Sequence, residues 1–250
     1  MPGDRPGHVL RVMSYNVHDL RDDRAAAARV VRSVAPDILC LQEVPRRLTT
    51  EVRLPRFARA CGLAWHRGRL RTGGTAVLVG PRVVLVGRSR GRLSVRFPDR
   101  TRGYAAATVT LPGAARPVTV VSVHLGLRAD ERVRHTAAVL ERFVVSGPSR
   151  PGAHGVVVAG DLNEGSEGRA FAALAGRLRL VSGETATFPA GAPTAVLDVV
   201  FAGPDLTVVE SAPADADERD LARGSDHRPV WVDLDLGLHS GAGWAGEPAG

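Results

Sequence analysis

In Gly224-Ser225-Asp226-His227-Arg228-Pro229 a carboxylate and an imidazole stand side by side just ahead of an apolar, strand-like stretch from Val230 to Leu236. Four other polar insertions spoil apolar runs in the same way, at Asn16, Glu43, His124, and Asp161 with Asn163. A chain that repeatedly places polar groups where its strands surface is building a site there. Glu43 closes Asp37-Ile38-Leu39-Cys40-Leu41-Gln42-Glu43. A carboxylate at such a strand end suits Mg²⁺, which keeps several waters and asks for only one or two protein carboxylates beside a phosphate. Asp161 and Asn163 lie two residues apart on a segment expected to be extended, so they project to one side. There the Asp would hold and deprotonate a water, while the Asn would steer it or donate to a phosphate oxygen. Asp226 offers a metal ligand beside His227, whose imidazole would stabilise a pentacovalent phosphate. Asp198, inside the apolar run Val196-Leu197-Asp198-Val199, needs a partner, and His227 would supply one.

Each residue also has a plainer use. A Glu where a strand surfaces is commonly just solvated, an Asn at a strand end organises a turn, and Asp-x-Asn is itself a turn capped by its own side chains. His124, ending Thr119 to His124, has the form of a hydrogen-bonded core histidine.

The elements that would carry these residues follow from periodicity and turn residues. Val9 to Val17 reads as a strand, Asp22 to Val34 as a helix stopped before Pro36, and Asp37 to Val44 as a buried strand. A second helix is expected over Thr50 to Cys61. Gly74 to Val79 and Arg82 to Gly87 then look like a hairpin closed at Gly80-Pro81. Tyr104 to Leu111 and Pro117 to Leu125 form a further strand pair, Ala129 to Val145 a helix, and Gly147 to Gly152 a turn. Beyond it lie a core strand from Gly155 to Gly160, a helix over Glu167 to Leu174, strands at Val196 to Ala202 and Thr207 to Glu210, and an acidic loop from Asp215 to Arg223. Strands this numerous beside few helices argue for an α/β fold of two packed, mainly antiparallel sheets with helices on the outer faces, rather than a doubly wound parallel sheet. The Gly/Pro/Ala-rich ends, 1–8 and 237–250, are expected to fray, leaving one domain over 9–236.

The 250 residues, 44% hydrophobic and 24% charged, fit a globular protein with a single large core. All 33 basic residues are Arg, which reads as a coding bias, so scattered arginines carry little information. Their distribution carries more, because positions 67–102 hold ten Arg against one acidic residue, Asp99, in a chain of net charge +7. Such a concentrated positive field attracts phosphate-bearing partners, although a solvated face has the same signature. Cys40 and Cys61 lack metal-site spacing and read as reduced core thiols. Without a leader-like or membrane-spanning run, a cytoplasmic monomer is expected.

Taken in order, five segments resemble the endonuclease/exonuclease/phosphatase superfamily of metal-dependent phosphoesterases. They are Ser14-Tyr15-Asn16-Val17, Leu41-Gln42-Glu43-Val44, Val123-His124-Leu125-Gly126, Gly160-Asp161-Leu162-Asn163 and Ser225-Asp226-His227-Arg228-Pro229. The resemblance implies a four-layer α/β sandwich, with Mg²⁺ or Mn²⁺ held by Glu43, Asn16 and Asp226. It implies Asp161 and Asn163 around the attacking water, His124 and His227 on the phosphate oxygens, and Asp198 behind His227. The implied reaction is in-line hydrolysis of a phosphodiester or phosphomonoester. Substrate would meet Arg102 and Thr75, although Thr75 stands where the family has an Asn. The Glu that usually precedes the Arg-Gly pair is also missing ahead of Arg102-Gly103, which leaves His124 without an obvious acidic partner. The substrate class stays open between nucleic acid and a phospholipid or small phosphoester. The contrasting expectation is a catalytically silent polyanion-binding protein that keeps the fold.

Overall fold

The computed structural model describes residues 5–45, 50–66, 73–146, 155–211 and 214–238. The strands are β1 (Val9–Asn16), β2 (Ile38–Gln42), β3 (Thr75–Val79), β4 (Val84–Leu93), β5 (Arg102–Thr110), β6 (Val118–His124), β7 (Gly155–Asp161), β8 (Arg179–Leu180), β9 (Asp198–Ala202), β10 (Thr207–Val209) and β11 (Val230–Asp235). They form a five-stranded sheet, β10-β11-β1-β2-β3, and a six-stranded sheet, β4-β5-β6-β7-β9-β8. Each sheet has one parallel neighbour pair, β1 with β2 and β6 with β7; the rest are antiparallel. A parallel pair needs a long crossover. Helices α1 (Arg24–Val34) and α3 (Ala129–Leu140) supply the two.

Alternation along the strands sorts the apolar side chains onto two faces. Leu10, Val12, Ile38 and Cys40 of the first sheet pack between the sheets with Val118, Val120, Val157 and Val200 of the second. Met13, Tyr15, Leu39 and Leu41 point the other way, onto α1 and α2 (Thr50–Ala60). Val121, Val123, Val158 and Phe201 meet α3 and α4 (Arg169–Ala175) on the far side. The result is the expected four layers: helices, sheet, sheet, helices. Among the described residues no helix is long and apolar enough to cross a membrane.

Several local expectations change. Gly80-Pro81 does not close a hairpin: β3 pairs with β2 as the edge of the first sheet, and β4 joins β5 in the second. Turn residues determine where the chain bends, not which strand it then joins, and Gly80 N–H is held by Asp37 O at 2.7 Å. The segment read as an acidic loop contains α5 (Glu218–Gly224). Asp217 caps it by accepting from the N–H groups of Arg219 and Asp220, and acidic residues at its start suit the helix dipole. Tertiary contact completes it, with Arg29 of α1 holding Asp220 through two 2.6 Å bonds. The last part of the Ala129 to Val145 helix, Glu141–Val145, winds as a π-helix. Of the ends expected to fray, Arg5 donates to Ala35 O at 2.7 Å and Leu238 bridges Ala114. Residues 1–4 and 239–250 lie outside the described residues, as do the Gly147 to Gly152 turn and Arg67, Arg69 and Arg71.

One buried ion pair clasps β1 to β11. Arg11 and Asp233 face each other in register, with Nε to Oδ1 at 2.7 Å and Nη2 to Oδ2 at 2.6 Å. Asp233→Asn strips the guanidinium of its counter-charge inside the protein and is expected to cost about 3–5 kcal/mol in urea unfolding. Arg11→Met combined with Asp233→Leu is expected to cost less than half as much, because no unpaired charge is left behind.

Candidate active site

Strand register brings the polar strand ends to one edge of the sandwich. In the second sheet Gly103 lies opposite His124, His124 opposite Asp161, and Asp161 opposite Asp198. In the first sheet Asn16 lies beside Gln42, and Gln42 beside Thr75. The two edges meet where Asn16 Nδ2 donates to Asp161 Oδ2 at 2.9 Å, across 145 residues of chain. Close strand approach makes this possible: a Cβ on Gly160 would lie 2.0 Å from Val123 O, so only glycine can precede Asp161 here.

Asp161 Oδ2 is the hub of the site. Besides the Asn16 amide, it faces His124 Nε2 at 3.4 Å and His227 Nε2 at 3.9 Å. Burial, and then the charge of Asp198 directly opposite, raise the Asp161 carboxyl to about 7, against the opposing pull of His227 and two hydrogen bonds. Its second oxygen accepts the Asn163 N–H at 2.8 Å. That bond corrects the extended reading of this segment. β7 ends at Asp161, Asn163 has φ 53°, and its side-chain amide donates to Leu125 O at 2.9 Å. The capped Asp-x-Asn turn forms because a short polar side chain can satisfy backbone groups that the strand leaves behind.

His227 is held as the residue pattern suggested. Its Nδ1 lies 2.7 Å from Asp198 Oδ2, which also accepts from Thr187 Oγ1 at 2.7 Å, and Phe188 packs against the ring at 4.9 Å between centroids. Burial alone would lower the imidazole, but the hydrogen bond and charge of Asp198, aided by Asp161 and Asp226, outweigh it and raise His227 to about 9. Thr187 and Phe188 had no sequence signal beyond lying in an apolar loop. His124 does find acidic neighbours, Asp161 at 3.4 Å and Glu43 at 3.9 Å, both facing Nε2.

The rim is organised by a left-handed turn after β1. His18, Asp19 and Leu20 have φ of 42°, 56° and 51°, and Glu43 has φ 48°. Such conformations are costly for non-glycine residues and cluster where function demands a particular side-chain placement. On one flank of the turn, Asp19 N–H donates to Glu43 O at 2.7 Å, and Arg100 reaches Asp19 at 3.0 Å and Glu43 at 3.9 Å. On the other flank, His18 Nδ1 stands 2.9 Å from Asp22 and 3.9 Å from Asp226. Asn16 Oδ1 accepts the His18 N–H at 3.1 Å, so Asn16 lies between the two flanks. His18, Asp19 and Asp22 carry one sequence signal, their place in the polar run after Asn16, and Arg100 carries none beyond its place in the arginine-rich window.

The donor set fits a hard divalent cation. Glu43, Asp226 and the Asn16 carbonyl are oxygen donors, and the Glu43 carboxylate has Arg100 and His124 no nearer than 3.9 Å, outside hydrogen-bonding range. Among the described residues, two groups bring three potential ligand atoms within 4.8 Å of one another: His18, Asp22 and Asp226 at the rim, and Asp161, Asp198 and His227 in the interior. Glu43 belongs to neither and stands across the turn from Asp226. Arg102 lies beneath with Nε donating to Leu125 O at 2.8 Å, while its buried Nη1 has no hydrogen-bond partner among the described residues. Burial lowers its pKa, and the charges of Glu43 and Asp161 hold it up. Thr75 is wholly buried beside Gln42.

The endonuclease/exonuclease/phosphatase family model matches residues 13–227. No curated protein matches the chain. Solved structures with the same fold include an endonuclease/exonuclease/phosphatase family protein from Bacteroides thetaiotaomicron, 19% identical, covering 90% of this chain and 97% of that one, with a TM-score of 0.71. A mannosyl-6-phosphatase from Bacteroides thetaiotaomicron is 19% identical, with 90% and 99% covered and a TM-score of 0.72. The catalytic domain of human Nocturnin, solved with bound sulfate, is 19% identical, with 90% and 94% covered and a TM-score of 0.66.

Proposed function

This chain belongs to the endonuclease/exonuclease/phosphatase family, and from that premise we propose that it is a Mg²⁺- or Mn²⁺-dependent hydrolase of a phosphodiester or phosphomonoester. The observation that carries the reading is the hub at Asp161 Oδ2, where one buried carboxylate oxygen faces the Asn16 amide at 2.9 Å and two imidazoles at 3.4 and 3.9 Å. Asp161 orients a water and takes its proton as the water oxygen bonds to phosphorus, and the bond to the leaving oxygen breaks opposite it. Asn163, through its N–H, and Asn16, through its amide, hold that carboxylate in one orientation. His227, kept protonated by Asp198, and Arg102, through Nη1, donate to the phosphate oxygens as charge builds on them, with His124 beside them. Glu43, Asn16 and Asp226 would hold the cation, which supplies charge neutralisation and polarisation of the phosphoryl group. A structural neighbour named as a phosphatase supports the same chemistry. The two free, buried thiols, Cys40 and Cys61, support a reducing, cytoplasmic setting, and we assign the protein as a monomer.

The test is turnover of chromogenic phosphodiesters and phosphomonoesters, nucleic acids and phosphoinositides with Mg²⁺ or Mn²⁺, and its loss in EDTA. No hydrolysis of any class with either metal, alongside salt-sensitive binding, would instead mark a silent polyanion binder. Glu43→Gln is expected to weaken Mn²⁺ binding, measured by titration calorimetry, by about 10–100-fold, the range seen when groups supporting a metal site are removed. Unchanged Mn²⁺ affinity would refute the metal assignment.

A further inference from the structure

A cleft of about 320 Å³ opens on the side of the sandwich, between the edge strands β3 and β4. One wall is β3 together with Trp65 and His66, which follow Ala64 where it pairs with Val79 at the open edge of β3. The other wall is β4, with Arg88 and Arg90. The floor is Ala105 to Ala107 of β5. The cleft exists because these floor residues are small: Arg88 and Arg90 lie opposite Ala107 and Ala105, and Ala107 belongs to the core between the sheets. The alternation of a strand puts Arg88, Arg90 and Arg92 on that same inward face, roughly 6.8 Å apart at about 3.4 Å per residue. Arg92 lies opposite Gly103, and Gly103 opposite His124. The row therefore ends roughly 10 Å from His124, two inter-strand spacings of about 4.8 Å. Neither Arg90 nor Arg92 has a carboxylate partner among the described residues.

From this placement we infer that the β3–β4 cleft is the path along which a single-stranded nucleic acid enters the catalytic centre. Here the substrate assignment rests on the hydrolase reading above. Cations repeating at the spacing of an extended phosphate backbone, with an indole and an imidazole on the facing wall, are the combination that binds unpaired strands: charge tracks the backbone and rings stack on bases. Arg90 is half-buried and the Ala floor lies behind it, recessed from the reach of a flat bilayer.

The test uses the full chain in EDTA, with a fluorescein-labelled dT12 followed by anisotropy. Changing Arg88, Arg90 and Arg92 together to Gln is expected to weaken binding at least about tenfold. It should also flatten the slope of log K against log salt by about 2, three phosphate contacts at roughly 0.7 each for a single strand. Replacing the same three by Lys is expected to restore most of the affinity. Indole emission is expected to be quenched by dT12, and the quench to shrink in Trp65→Phe. Wild-type affinity in the Gln variant, or displacement of dT12 by phosphatidylcholine/phosphatidylserine vesicles at equal phosphate concentration, would overturn the inference. Turnover of a small chromogenic diester without arginine-dependent oligonucleotide binding overturns the cleft and leaves the hydrolase reading standing; binding without turnover does the reverse.

Discussion

Asp161→Asn is expected to lower kcat by about 10³-fold, near 4 kcal/mol of transition-state stabilisation, because an amide in place of the hub carboxylate cannot take a proton from water. The same substitution is expected to stabilise the fold at alkaline pH. The Asp161 carboxyl is raised to about 7 from an ordinary value of 3.8, mainly by burial. A group whose folded pKa is raised binds its proton more tightly in the native state, so its favourable contribution is complete below pH 3.8 and is lost as pH rises through about 7. Thermal melts of the metal-free proteins are therefore expected to show the Asn variant gaining on wild type between pH 4 and 8. A cation beside Asp161 favours its charged form, so the acidic limb of the rate profile is expected below about 7 in the metal-loaded enzyme. A variant that keeps its rate would remove Asp161 from the chemistry. One that loses rate and stability together would make it a structural residue.

His227→Ala is expected to cost about 10²–10³ in kcat, the usual loss when one donor to a developing negative charge is removed. Asp198→Asn is the more discriminating change, because in the proposed mechanism Asp198 acts only through His227, as a positioning residue. Its hydrogen bond and charge hold the imidazole at about 9, so His227 contributes its full stabilisation below 6.5 and loses it as pH climbs through about 9. In kcat/KM profiles, wild type is expected to keep its activity to the upper end of that window. In Asp198→Asn the alkaline limb is expected to move toward the ordinary imidazole value. The acidic limb should fall as well, since the Asp198 charge also raises Asp161. Coincident wild-type and variant profiles would show that Asp198 does not set the charge of His227.

The link from Asp198 to His227 was legible because a carboxylate inside an apolar strand must find a partner, and the polar motifs announced themselves by breaking apolar runs. The extended geometry expected for Asn163 fails because β7 stops at Asp161 and the next residues turn back. His18, Asp22 and Arg100 are not singled out by the sequence, because polar residues near loops carry no mark of where in space they converge. The Gly80-Pro81 reversal was visible, but the destination of the chain after it was not.

From residue order alone came the strand-rich body, the two-faced apolar alternation that needs helices outside two sheets, and the polar residues that break the apolar runs at the strand ends. These are consequences of local chemistry and of a side-chain period of two, both written into short stretches of chain. Only the assembled sandwich decided that Asn16 meets Asp161, that Glu43 and Asp226 flank a strained turn, and that β4 stands apart from β3 and leaves a cleft lined with arginines. Strand partnership and register are settled by non-local packing of both faces, and that information is distributed over residues more than a hundred positions apart.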